Sequence, residues 1–82
     1  NGRAILKAAL EKSGFKIEFS EAGLYIWCTR NEDCWSTVDW FADRGVLVTP
    51  GVFYGEQGSK FVRIALTATD ENIGKTAERI LN

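Results

Sequence analysis

The residues that decide the fold are KFVRIALT at positions 60–67. Their alternation predicts a β-strand, because successive side chains of a strand point to opposite faces of the sheet. One face carries Val62, Ile64 and Leu66, and the other carries Phe61, Arg63 and Ala65. The first face is entirely apolar, so we expect it to line the core. Arg63 is the unusual residue of the second face, because a guanidinium is costly to bury unless a carboxylate pairs with it.

Residues on both sides of this strand predict an alternating series of helices and strands. Helices are predicted at 3–12, from 34 to 44 and from a cap at 69–71 to residue 81, with Ile5, Ala42 and Leu81 in their buried stripes. Further strands are predicted at 15–19, 23–29 and 46–49, and a loop at 51–59. This order predicts one domain spanning residues 1–82 of α/β (α+β) class. We expect a small three- to four-stranded mixed sheet with helices packed on it.

The composition is that of a packed domain and excludes several classes of protein. Hydrophobic residues make up 45% of the chain, which is enough apolar surface to exclude intrinsic disorder. A formal net charge of −1 favours neither nucleic acid nor an anionic membrane, and no apolar run is long enough to span a bilayer. Because the chain begins at Asn1 rather than Met, we expect it to be part of a longer protein.

The residues that usually bind metals are scarce. Histidine is absent, and Cys28 and Cys34 are too few for a tetrahedral zinc site and wrongly spaced for a CxxC redox pair. We interpret the two cysteines as small buried apolar residues, and we predict no metal site. Sparse cysteine usage also favours a reducing cytoplasm over secretion.

Other candidate motifs have simple structural explanations. Gly74-Lys75-Thr76 ends like a phosphate-binding loop, but Thr69 stands where that motif needs its first glycine. Asp39 and Asp43 lie four residues apart on a predicted helix and are interpreted as a solvated face. For Arg63, the residues alone leave three interpretations open: a solvent-facing side chain, an internal ion pair, or a site for a carboxylate ligand.

Several stretches carry a resemblance to one family of enzymes. They are SEAGLYIW at 20–27, GVLVTPGVFYG at 45–55, Gly58, FVRIALT at 61–67, and Asp70-Glu71 at the start of the last helix. In this order and spacing they resemble the C-terminal small domain of class I/II, fold-type I aminotransferases, which depend on pyridoxal 5'-phosphate. The residues at 24–27, 49–51 and 64–70 look most like the succinyldiaminopimelate aminotransferase branch.

The resemblance implies a role for one residue in particular. In this family the arginine of the last strand binds the α-carboxylate of the amino acid or 2-keto acid substrate, and Arg63 holds that position. The loop containing Phe53 and Tyr54 lies near the mouth of the active site and helps to place the arginine. The lysine that binds the cofactor and the groups that hold its phosphate belong to a large domain. This segment is therefore expected to supply substrate-binding residues and no catalytic or cofactor-binding residue.

The resemblance also implies the wider context of the segment. Its partners would be the large domain of the same chain and a second subunit in a cytoplasmic homodimer. N-succinyl-diaminopimelate, in lysine biosynthesis, would be a substrate of the branch named above. We expect Trp27, Trp35, Trp40, Phe53 and Tyr54 to leave apolar surface exposed for such contacts. The alternative is a regulatory module of ferredoxin-like type, in which Arg63 binds a small acidic ligand without catalysis.

Overall fold

The structure is a computed structural model that describes residues 2–20, 23–66 and 69–82. Three α-helices and four β-strands follow the predicted order. They are α1 (Gly2–Lys12), β1 (Lys16–Phe19), β2 (Tyr25–Thr29), α2 (Cys34–Ala42), β3 (Thr49–Pro50), β4 (Val62–Ala65) and α3 (Asp70–Leu81). Short 3₁₀ helices at Gly51–Tyr54 and Glu56–Gly58 replace the predicted loop. Residues 21, 22, 67 and 68 lie outside the described residues, and with them Thr67, the last residue of the strand predicted at 60–67.

The four strands form one sheet in the order β1-β2-β4-β3. This confirms the predicted fold class, but the prediction of a mixed sheet was wrong in detail. All three strand pairs of the described sheet are antiparallel. β2 and β3 run in the same direction but are separated by β4, and β1 and β4 run in the same direction but are separated by β2.

One face of the sheet carries the hydrophobic core, and the three helices contribute to it. α1 and α3 pack against each other. The core consists of Leu6, Ala9, Leu10, Phe15, Ile26, Cys28, Cys34, Phe41, Val46, Val62, Ile64, Leu66, Ile73, Ala77 and Ile80. Both cysteines are buried and free, as predicted. Burial raises the pKa of the Cys28 thiol to about 12, so it remains protonated and unreactive at neutral pH.

The buried face of each helix contains fewer residues than the sequence predicts. Ile5, Ala42 and Leu81 are exposed, where the sequence placed them in buried stripes. Ile5 lies at the edge of the α1 stripe, and Leu81 is the last residue of its helix. In α2 the polar residue Thr37 is fully buried beside Cys34 and Phe41, and its hydroxyl donates to the Glu32 carboxylate, which avoids the cost of an unpaired polar group.

The prediction of a strand at 46–49 was also wrong in its bounds. Only Thr49–Pro50 pairs with β4, and residues 46–48 are irregular. Gly45 ends the preceding turn with a φ of 74°, and Val46 is then buried against the core rather than paired in the sheet. Pro50 can occupy β3 because this strand is at the sheet edge, where a missing N–H leaves no ladder bond broken. No helix in the described part of the chain is long and apolar enough to span a membrane.

Candidate functional site

The strand register gathers a row of chemically distinct side chains on the face of the sheet opposite the core, here called the outer face. Trp27 of β2 is paired with Glu18 of β1 and with Arg63 of β4, and Arg63 is paired in turn with Thr49 of β3. The neighbouring residues Val62 and Ile64 are buried on the core face, as the alternation predicted. Arg63 therefore projects from the centre of the sheet, away from the core.

Two tyrosine rings contact the Arg63 guanidinium. Its central carbon lies 4.0 Å from the centre of the Tyr25 ring and 4.4 Å from the centre of the Tyr54 ring. Both distances are within the range of cation–π attraction. The side chain is half-buried, and no carboxylate in the described parts of the chain forms a salt bridge with it. The interpretation of Arg63 as an internal ion pair thus finds no partner among the described residues.

The loop between β3 and β4 positions Tyr54, which the sequence connected with this arginine. Its two ends are joined by a hydrogen bond from the Gly51 N–H to the Phe61 carbonyl (2.7 Å), and the Phe61 N–H donates to the Gly58 carbonyl (2.9 Å) in the turn that leads into β4. The Tyr54 ring also meets the Trp27 ring edge-on, with centres 5.4 Å apart. Tyr54 is therefore held between the sheet and its own loop, with its ring against Arg63.

Phe53 does not join this group, although the family resemblance implied that it lies with Tyr54 near the mouth of the active site. Its ring packs edge-on against Trp35 of α2, with centres 5.8 Å apart. Both side chains are at least half exposed, as is Tyr54. The expectation of exposed aromatic surface is met by these three residues. Trp40 contributes less to it, because Phe15 and Phe41 pack against its ring.

A cleft of about 280 Å³ opens beside Tyr54 on the outer face. It is lined by Glu18, Trp27, Gly51, Tyr54, Gln57, Gly58 and Phe61. A pyridoxal phosphate site needs a lysine amine inside a pocket, but no lysine lines this cleft. The side chains of Lys7, Lys12, Lys16, Lys60 and Lys75 are all exposed. The described residues therefore do not by themselves fit that cofactor.

Tyr25 is the site residue that the sequence reasoning missed. Interpreted as part of an apolar strand, it carried no sign of a partner as distant along the chain as β4. The usable signal was the alternation within β2, where Ile26 and Cys28 face the core and Tyr25 and Trp27 face outward. Once β2 is paired with β4, Tyr25 becomes the diagonal neighbour of Arg63 and lies within its reach.

A second cluster of charged and aromatic residues has a structural role. Arg30 lies 4.9 Å from the Phe15 ring centre and 4.8 Å from the Trp40 ring centre, and it forms a salt bridge of 2.7 Å with Glu32. Arg30 therefore has both its charge and its ring contacts satisfied within the domain. The hydrogen bonds that Arg30 donates hold the pKa of the Glu32 carboxyl below its usual range, and the Thr37 hydroxyl adds to the effect.

This cluster predicts a pH dependence of stability. A carboxyl whose pKa is lowered by folding stabilises the fold above its unfolded-state pKa of about 4.3, and the contribution is lost as the pH falls through the lower folded-state pKa. We expect Glu32→Gln to reduce the urea midpoint at pH 7 and to leave a smaller difference at pH 3. Glu71→Gln, which removes an exposed carboxylate from α3, is the matched control. Equal losses for Glu32→Gln at both pH values would contradict the assigned role.

Comparison with known proteins gives relatives for nearly the whole chain. No family model matches it. It is 55% identical over 78 residues to 4-dedimethylamino-4-oxo-anhydrotetracycline transaminase of Streptomyces rimosus, covering 95% of this chain and 22% of the relative. It is 39% identical over 83 residues to LL-diaminopimelate aminotransferase of Halothermothrix orenii, covering 98% and 21%. The chain thus spans about a fifth of the length of the curated relatives that it matches.

A solved structure shows the same fold. It belongs to a protein of Thermus thermophilus described as a probable N-succinyldiaminopimelate aminotransferase. The TM-score is 0.75 at 30% sequence identity, and the match covers 95% of this chain and 22% of that one. The α+β arrangement of a four-stranded sheet with three helices therefore occurs within a much longer protein.

Proposed function

We propose that residues 1–82 form the C-terminal small domain of an aminotransferase. The basis is that nearly the whole chain is homologous to one segment of known aminotransferases. The whole protein would transfer an amino group between an amino acid and a 2-keto acid, as a cytoplasmic homodimer. Pyridoxal 5'-phosphate would supply the chemistry and would be held mainly by residues outside this segment. The homology favours this function over a ferredoxin-like regulatory module.

The observation that carries the proposal is that the Arg63 guanidinium has no anionic partner among the described residues. It is a half-buried cation on the outer face, contacted by two rings but by no carboxylate of the described residues. A partly desolvated cation gains most from an anionic partner, and the planar fork of arginine matches a carboxylate in a bidentate pair. We propose that this partner is the α-carboxylate of the substrate. Arg63 would then orient the substrate and would transfer no proton.

The side chain of the substrate is a separate question from its carboxylate. The names of the two relatives described above give different substrates, a tetracycline intermediate and LL-diaminopimelate. Both match this segment over nearly its whole length, so residues elsewhere must help to distinguish between the two substrates. For this protein we propose a diaminopimelate-type amino acid, N-succinyl-diaminopimelate in particular, as the amino donor. The similarity to the Thermus thermophilus structure supports this choice.

The proposal can be tested by removing the carboxylate from the substrate instead of changing the protein. We expect the full-length protein to transaminate an L-amino acid and to turn over the corresponding decarboxylated amine far more slowly. The amine leaves the guanidinium unpaired, and a site built for such a hydrogen-bonded group rejects ligands that lack it by orders of magnitude. Coupled assays for keto acid and aldehyde formation measure both rates. Equal kcat/KM for the two compounds would refute carboxylate recognition.

A further inference from the structure

We infer that Tyr25 is a positioning residue for Arg63, which holds the guanidinium in the orientation that receives a substrate carboxylate. The inference rests on the function proposed above and adds to it a residue on a different strand. Its basis is the contact between the Tyr25 ring and the guanidinium, the shorter of the two that Arg63 makes with tyrosines. Tyr54 makes the longer contact from a loop in which its side chain is about half exposed.

The backbone of Tyr25 is hydrogen-bonded within the sheet, whereas Tyr54 lies in the loop between β3 and β4. The backbone N–H of Tyr25 donates to the Ser20 hydroxyl (3.1 Å), and its carbonyl accepts from the Ser20 N–H (3.0 Å). On its other side Tyr25 is paired with Ala65 of β4, in the same strand as Arg63. The ring and the arginine are thus attached to two adjacent strands of one sheet, and their relative position is fixed by the register.

The type of contact explains why an aromatic ring suits this position. A carboxylate beside Arg63 would hold it equally well, but it would occupy the N–H groups that a substrate needs. The ring attracts the cation through its π-face and forms no bidentate pair with the guanidinium. Arg63 can therefore be oriented by the protein and still be free to bind a carboxylate.

The test is a double-mutant cycle in the full-length protein, with N-succinyl-diaminopimelate as the amino donor and 2-oxoglutarate as the 2-keto acid acceptor. We expect Tyr25→Ile, which keeps a β-branched side chain in the strand, to raise KM for both compounds about 3- to 30-fold. The value of kcat should change little, because the carboxylate contact is present in both the ground state and the transition state. Tyr25→Phe retains the ring and should restore KM. Phe19→Leu, an exposed aromatic on β1, is the control and should leave KM unchanged.

The coupling between the two residues separates this inference from the proposed function. In an Arg63→Lys background, Tyr25→Ile should have a clearly smaller effect on KM, because its partner is already lost. Additive effects, or a lower melting temperature with KM unchanged, would overturn the positioning role while leaving carboxylate binding by Arg63 intact. If Arg63→Lys alone leaves KM unchanged, the proposed function fails and this inference fails with it. Tyr25→Thr gives the same comparison should Tyr25→Ile not fold.

Discussion

Replacing Arg63 by lysine in the full-length protein should lower kcat/KM by about ten- to a hundred-fold. Lysine keeps the positive charge but loses the planar fork, so the bidentate pair with the substrate carboxylate is replaced by a weaker contact. The loss of a hydrogen bond to a charged group costs about 1.5–3 kcal/mol, and each ~1.4 kcal/mol is a factor of ten. Amino-acid and keto-acid substrates should be affected alike, because both carry the carboxylate. Steady-state kinetics in both directions measures the effect.

The matched control is Arg79→Lys. Arg79 is an exposed arginine on α3 whose guanidinium donates to the Gly45 carbonyl at 3.0 Å, away from the outer face. We expect kcat/KM to be unchanged in this variant. Stability and cofactor content should be close to wild type in Arg63→Lys, because no core side chain depends on the guanidinium. A variant with normal kinetics and a melting temperature several degrees lower would instead show that Arg63 serves only the structure.

Alanine at Gly58 should destabilise the domain by about 3 kcal/mol or more. A Cβ at Gly58 would lie 2.9 Å from the Cα of Gly51, and a Cβ at Gly51 would lie 2.6 Å from the Phe61 carbonyl oxygen. The obstructing atoms belong to the backbone, so no side-chain rotation can relieve the contact. The two ends of the loop would have to separate, which breaks the hydrogen bond from the Gly51 N–H to the Phe61 carbonyl that closes the loop around Tyr54. Urea denaturation followed by tryptophan fluorescence measures the loss.

Two other glycines provide controls, because replacing them should change the free energy of unfolding by different amounts and in opposite directions. Gly55 has a φ of 124°, and a Cβ added there would meet no atom within 4 Å, so Gly55→Ala should cost only the backbone strain, about 1–3 kcal/mol. Gly74 lies within α3 with open space around it, and Gly74→Ala should stabilise the helix by about 0.5–1 kcal/mol. If Gly58→Ala were tolerated as well as Gly74→Ala, the close approach of the two backbone segments would be disproved.

The features that sequence could predict are those that depend on local pattern. The alternation in 60–67 correctly assigned Val62 and Ile64 to the core face and Arg63 to the other. Capping was also readable, since the Thr69 hydroxyl accepts from the Asn72 N–H at the start of α3. In each case the relevant neighbours lie within a few positions of one another along the chain.

The features that escaped prediction depend on pairs distant in sequence. The contact of Tyr25 with Arg63 required the register of β2 against β4, and the closure of the loop required Gly51 to meet Gly58. The antiparallel sheet followed from the insertion of β4 between β2 and β3. Residue types constrain such long-range pairings weakly. The family resemblance supplied Arg63 as a candidate, but it gave Phe53 the same weight as Tyr54, and only the folded structure separates them.

The backbone contact between Gly51 and Gly58 has a consequence for how such a protein could change during evolution. Gly51 and Gly58, which flank residues 52–57, are in backbone contact. The position of β4 therefore does not depend on which residues lie between these two glycines. Substitutions or even small insertions there would alter the wall of the outer-face cleft without shifting the register of Arg63 in β4. The segment can thus vary while Arg63, the residue proposed to bind the substrate carboxylate, stays in place. Such an arrangement would let one fold acquire a preference for a new substrate side chain, while the proposed recognition of the α-carboxylate by Arg63 stays constant.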